Sequence, residues 1–258
     1  MRLNCAVITA VGKLKSGNQD NFFVNGIMKS SPFAFNEEYF NTSDRCENVY
    51  AVFDGMDGEE CGDAASFICA KCIEGFYRLG SFSGKAIEYI RTANELVCEY
   101  ARGHILDKCG STMALVHIKD GIANFYNLGD SRIYHMTKDR FERRSVDHTN
   151  VQQLVRLGVL TSEQAKTDPR RHSLSQYVGI PTEEMAVEPC VFENVPVYDT
   201  DRILICTDGL WDIVDEELIE KALRSADDAE KAARTLCKLA LDAGGKDNIT
   251  VIVIEAEK

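Results

Sequence analysis

Four strand-like apolar runs in this chain, VYAVF, ANFYNL, RILICT and ITVIVIE, each border a short polar break that carries an aspartate. A fifth break of the same kind lies near the start. The breaks read Gly17-Asn18-Gln19-Asp20-Asn21, Phe53-Asp54-Gly55-Met56-Asp57-Gly58, Asn127-Leu128-Gly129-Asp130-Ser131-Arg132, Cys206-Thr207-Asp208-Gly209-Leu210 and Gly245-Lys246-Asp247-Asn248. Pairing of such runs in a sheet sets strand ends side by side, so carboxylates distant in sequence gather at one edge. Carboxylate and carbonyl oxygens are the donors that magnesium and manganese favour. Any one Asp-Gly is also ordinary turn chemistry. The weight therefore rests on the five together.

The runs are grouped in a way that decides fold class. Strands are expected at 3–11 and 21–25, and again at 49–53. Residues 27–48 lack any period and read as an irregular insertion. Ala65, Ile68, Cys72, Phe76 and Leu79 recur at helical spacing within 59–79, and a second helix covers 85–106. Three strands follow in succession at 111–118, 122–128 and 131–136, the first two joined by Lys119-Asp120-Gly121, a hairpin signal. Residues 150–180 change character, with two short helical stretches and Asp168-Pro169, and read as a flap over a site. Strands return at 185–192 and 202–206, helices at 215–224 and 227–243, and a last strand at 249–255. Strands beside strands and helices beside helices imply an α+β chain of antiparallel sheets covered by helices, not a doubly wound parallel sheet. One domain over 1–258 is the expectation.

Composition narrows the function classes. A net charge of −12 argues against nucleic acid, whose phosphates call for a basic surface. No apolar stretch reaches the length of a membrane span and the start lacks the pattern of a signal peptide, so a cytoplasmic protein that does not engage membranes is expected. The ten cysteines then read as reduced thiols packed as small hydrophobes. Cys69 and Cys72 form a C-x-x-C inside a helical pattern without a second pair, too few ligands for a closed zinc site. No Gly-x-Ser-x-Gly elbow, no cysteine heading a phosphate loop and no G-x-x-x-x-G-K-S occurs.

Eight stretches, in order from about residue 8 to the last strand, carry a resemblance: GNQDN, FDGMDGEECGDAAS, CGST, NLGDSRIYHM, DHT, LSQYVG, CTDGLWDIV and GGKDNITVIVI. They resemble the metal-dependent type 2C protein serine/threonine phosphatases in their bacterial form. The resemblance implies a four-layer α-β-β-α sandwich with metals at one end of the two sheets, holding two manganese or magnesium ions. It gives Asp54 the role of bridging both ions, Asp208 and Asp247 the completion of the first, and the Gly55 carbonyl a contact to the second. Asp20 would orient metal-bound water, and Asp130 would share a third, weaker ion with Asp208. Gln19, Arg132 and Asn248 would supply supporting hydrogen bonds, and His148 would cap or pack. The implied partners are phosphorylated proteins, substrates of a cognate serine/threonine kinase, met by a monomer.

Departures from the family pattern are specific. Lys15 stands where an arginine usually grips the substrate phosphate, keeping the charge and losing the bidentate fork. Gln19 replaces a glutamate and so removes a negative charge near the second ion. Asp57 and Glu59 replace a glycine and a histidine. Met56 follows the bacterial pattern and leaves the acid that protonates the leaving group unassigned. The alternatives to a protein phosphatase are a catalytically silent relative that acts as a binding module and a small-molecule phosphomonoesterase.

Overall fold

The computed structural model describes residues 1–56 and 61–257. Two six-stranded antiparallel sheets stack face to face. The first contains β1 (Arg2–Ala10), β4 (Glu37–Ser43), β8 (Arg132–Met136), β9 (Phe141–Arg143), β11 (Arg202–Cys206) and β12 (Ile249–Glu257). Its strand order is β4-β1-β12-β11-β8-β9. The second contains β2 (Asn21–Val24), β3 (Ile27–Met28), β5 (Glu47–Phe53), β6 (Met113–Lys119), β7 (Ile122–Leu128) and β10 (Cys190–Pro196). Its order is β10-β7-β6-β5-β2-β3.

Strand parity explains why the central runs are apolar on consecutive residues. In β12, Ile249, Val251 and Val253 pack into a cluster with α6 (Glu216–Ser225) and α7 (Ala229–Asp242). Ile252, Ile254 and Ala256 face the opposite sheet. In β5, Val49, Ala51 and Phe53 meet α1 (Gly62–Arg78) and α2 (Ala86–His104), whereas Tyr50 and Val52 face inward between the sheets. Both faces of these strands are covered, so alternation gives way to a continuous run. Each buried aliphatic side chain contributes ~1.5–3 kcal/mol relative to exposure. The four layers α-β-β-α implied by the resemblance are therefore present.

Parity also sets the functional end. Counting on from inward-facing Phe22, Val52, Ile205 and Ile252 in steps of two leads to Asp20, Asp54, Thr207 and Thr250. All four stand where the inter-sheet space opens at one end of the sandwich.

Several expectations need correction. Residues 27–48 are not wholly irregular: β3 lies within them, and β4 pairs with β1 as an edge strand. Its sequence EEYFNTS is partly exposed along most of its length, so no apolar alternation announces it. The strand expected at 185–192 starts at Cys190 and carries an irregularity between Phe192 and Val195. The short strand β9 and the one-turn helix α5 (Asp208–Trp211) were not foreseen. The cysteines are not all free thiols, since Cys61 and Cys109 form a disulfide with their Cα atoms 5.6 Å apart. Pairing between Gly55 and Ser111 brings these two segments together. No helix among the described residues is long and apolar enough to cross a membrane.

Candidate metal centre

Asp54, Asp130, Asp208 and Asp247 line one cavity of about 480 Å³ at the open end of the sandwich. Each comes from a different strand end. Asp54 follows β5, Asp130 lies in the β7–β8 turn, Asp208 starts α5 directly after β11, and Asp247 precedes β12. The backbone of Asp54 is fixed by the two residues that lead into β6: Thr112 N–H donates to its carbonyl at 2.8 Å, Ser111 Oγ donates to the same oxygen at 3.0 Å, and Asp54 N–H donates to Thr112 Oγ1 at 3.2 Å. Gly55 has no alternative residue. A Cβ there would stand 2.2 Å from the Gly62 carbonyl oxygen, so the glycine serves close backbone approach.

Asp20 lies just behind the cavity, fully buried. One carboxylate oxygen, Oδ2, accepts from Thr250 Oγ1 at 2.7 Å and from Thr207 Oγ1 at 2.9 Å. The other, Oδ1, is buried without a hydrogen-bond partner. A buried acceptor left unmade costs ~1–3 kcal/mol, more when charged. Three side chains hold the loop that bears it. Lys29 Nζ, itself buried, donates to the carbonyls of Asn18 at 2.6 Å and Asp20 at 2.7 Å. Ser66 Oγ donates to the Gln19 carbonyl at 2.6 Å. Asn248 Oδ1 accepts from Gln19 N–H at 2.8 Å, and its amide donates to the carbonyls of Val11 and Gly17, both at 2.9 Å. The supporting places expected for Gln19 and Asn248 thus coincide in one contact.

The electrostatics of this set favour a cation. Burial raises the Asp54 carboxyl well above its ordinary range, and Asp20, Asp208, Asp130 and Asp247 add to the shift by repulsion. Asp208 is likewise raised well above by burial, then by Asp130, Asp247, Asp20 and Asp212. Asp130 is pushed up to about 7 by burial and by Asp147, with Arg132 opposing. Burial, partly offset by the two threonine hydroxyls, raises Asp20 to about 6. Carboxylates that repel one another, with one buried oxygen orphaned, fit hard divalent ions such as manganese and magnesium. Asp130, Asp208 and His172 each place one donor atom within 4.8 Å of the other two, a group able to hold an ion.

Lys15 lies at the edge, its Nζ 3.0 Å from Asp247 Oδ1, and neither Lys15, Gly55 nor Gln19 lines the cavity. Asp57 and Glu59 fall outside the described residues. Arg132 acts as support: it makes a two-pronged contact to Asp147, Nη2–Oδ2 2.7 Å and Nε–Oδ1 3.1 Å, and stacks 3.5 Å from the Trp211 ring centre. His148 packs on the β7–β8 turn, its Nδ1 accepting from Gly129 N–H at 3.2 Å. Sequence reasoning missed His172, whose Nδ1 lies 3.7 Å from Asp208 Oδ2 and whose Nε2 lies 3.5 Å from Asp212 Oδ2. Its one signal was a histidine two residues before the matching LSQYVG stretch. Lys108, Tyr177 and Lys246 also line the cavity.

Comparison with known proteins agrees with this geometry. The family described as Protein phosphatase 2C matches residues 171–249. The serine/threonine phosphatase stp of Listeria welshimeri is 30% identical over 215 residues, 80% of this chain and 84% of that one. The crystal structure of the Mycobacterium tuberculosis serine/threonine phosphatase PstP/Ppp superposes with a TM-score of 0.81 at 26% identity, covering 100% of both chains. A structure of the PstP catalytic domain in complex with 2 manganese ions shares the fold, with a TM-score of 0.78 at 24% identity over 100% of both chains. A sandwich with aspartates at one end of both sheets, shared over nearly its full length with such relatives, places this chain in the protein phosphatase 2C family of metal-dependent serine/threonine phosphatases.

Proposed function

We propose that residues 1–258 act as one catalytic domain that hydrolyses phosphoserine and phosphothreonine in proteins, with 150–180 as a flap beside the site. The observation that carries the residue assignment is the convergence of Asp54, Asp130, Asp208 and Asp247 on one cavity, with the unpartnered Oδ1 of Asp20 behind it. Asp54, Asp208 and Asp247 would hold two manganese or magnesium ions, with the Gly55 carbonyl as a further donor oxygen. Asp130, Asp208 and His172 would hold a third. Bound ions would neutralise phosphoryl charge and acidify water, the terms that a phosphate monoester most needs.

The chain's own residues do the rest. Asp20, braced by Thr207 and Thr250, keeps an acceptor oxygen available to orient water. Lys15 offers its ammonium to the phosphoryl oxygens from the rim while paired with Asp247. Lys108 and Lys246 add positive charge to the cavity wall, which draws a dianionic ester towards an otherwise acidic bed. Phosphoproteins made by a cognate serine/threonine kinase, met by a cytoplasmic monomer, complete the reading. Hydrolysis of p-nitrophenyl phosphate and of a phosphothreonine peptide, with manganese, magnesium, calcium or chelator, tests it. Activity should require manganese or magnesium, and Asp54→Asn, Asp208→Asn and Asp247→Asn should each fold and lose more than about nine-tenths of turnover, since each removes a charge that holds the ions. Substantial turnover in chelator, or in any of the three, would reject the assignment.

A further inference from the structure

We propose that Asn94, in the middle of α2 and away from the cavity, is a positioning residue for the metal centre. It holds the return of the flap, residues 178–180, as a backbone strap against the segment 110–112 that fixes Asp54 and Gly55. The inference rests on the assignment of those two residues to the metal centre.

Asn94 is buried on a helix face whose other buried members are Ala86, Tyr89, Ile90, Ala93, Val97 and Cys98. An amide among apolar neighbours costs free energy unless its bonds are made, and asparagine is a poorer helix former than alanine. Among the described residues its side-chain bonds go to one short segment. Oδ1 accepts from Gly179 N–H at 2.7 Å and from Ile180 N–H at 3.0 Å, while Nδ2 donates to the Ile180 carbonyl at 2.8 Å. The residue before, Val178, exchanges both backbone bonds with Ser111, at 2.8 and 2.9 Å. Three consecutive amide hydrogens, those of Val178, Gly179 and Ile180, are thereby satisfied, two by Asn94 alone.

Side-chain packing cannot substitute at the centre of this strap. Gly179 has φ +118°, and a Cβ there would meet the Cys109 carbonyl oxygen at 2.1 Å. At Gly179 itself only hydrogen bonds are available, beside the buried side chains of Val178 and Ile180. On its far side Ser111 bridges to Gly55, and Met56 N–H donates to the Gly110 carbonyl at 3.0 Å. Val178, Ser111 and Gly55 therefore form a three-deep backbone ladder running from the flap to the metal loop, and Asn94 clamps its outer rung. Loss of the clamp strands two buried amide hydrogens, so the rung shifts, and Ser111 and Thr112 no longer hold Asp54 in one place.

The test is manganese binding by titration calorimetry on the intact protein, below each variant's unfolding temperature. Asn94→Ala should weaken manganese binding by about tenfold or more, within the range typical of coupling between sites. Asn94→Asp keeps an acceptor for both amide hydrogens and, with its buried carboxyl protonated, a hydroxyl donor for the Ile180 carbonyl, so it should bind within about threefold of the parent. Asn48→Ala removes a buried amide at the other end of the fold, where it bonds Arg45 O and Asn25. It should lower thermal stability and leave manganese affinity unchanged. Folded Asn94→Ala with parental affinity, or equal weakening by Asn48→Ala, overturns the proposal. Asp54→Asn separates this from the reading beneath it: parental manganese affinity there would overturn the metal centre itself. If Asn94→Ala does not fold, hydrogen exchange on the parent protein decides. Manganese should slow exchange at Val178, Gly179 and Ile180, and unaltered exchange there overturns the proposal.

Discussion

Replacing Asp20 by asparagine should make the metal-free protein more stable while disabling it. Burial, with Asp247 adding, lifts the Asp20 carboxyl from 3.8 to about 6 against the pull of two threonine hydroxyls. That difference, at 1.36 kcal/mol per pH unit, makes its ionisation in the folded chain cost about 3 kcal/mol at pH 8. The folded state binds the proton more tightly than the unfolded one, so stability is retained below about pH 4 and lost as pH rises towards about 6. An asparagine keeps one oxygen for Thr207 and Thr250 and sets a neutral amide where Oδ1 stands unpartnered. With roughly 2–4 °C per kcal/mol for a chain of this size, Asp20→Asn should raise the unfolding midpoint by about 6–12 °C in chelator at pH 8. The gain should shrink towards pH 4, where the parent carboxyl is already protonated. Circular dichroism melts at both pH values, with and without manganese, measure it; an unchanged or lowered midpoint in chelator at pH 8 would refute the reasoning.

Asp130→Ala should lower activity on a phosphothreonine peptide while the two tight manganese sites stay filled; calorimetry showing those sites lost would move Asp130 into the core centre. Lys15→Ala should lower kcat/KM by about ten- to a hundredfold, the loss of one charge-assisted bond of ~1.5–3 kcal/mol, and Lys15→Arg should be tolerated. Its pair with Asp247 is part-exposed, so the melting midpoint should change little, and unaltered kcat/KM and phosphate inhibition would place Lys15 outside the site. Chelation of the parent protein should abolish turnover and lower its melting midpoint most at alkaline pH, where Asp54, Asp130 and Asp208 all repel; a midpoint indifferent to metal would count against bound ions as their partners.

The central strands were legible because covering on both faces leaves them apolar without interruption, as in β12. Edge strand β4 was not, since its polar, half-exposed residues carry no such mark. The aspartates were legible because a carboxylate next to a strand end breaks an apolar run visibly. His172 and Asn94 were hidden for opposite reasons. His172 sits in an aperiodic segment where nothing distinguishes a ligand from a solvated side chain, and Asn94 sits in a helical period where one polar residue passes as noise. Asp-Gly reads as a turn from sequence, yet Gly55 is required by the approach of the Gly62 carbonyl, a contact between segments that local spacing cannot reveal.

The chain contains a single tryptophan, and it closes the one-turn helix that Asp208 opens. The Arg132 guanidinium lies on its ring, and the indole N–H is buried without a partner. Emission from that ring answers to the charge stacked on it and to any shift of the turn beneath it. A cation held by Asp208, as proposed, would therefore register in the intrinsic fluorescence of the protein, and the occupancy of the centre would become an optical quantity to follow in time without label or substrate.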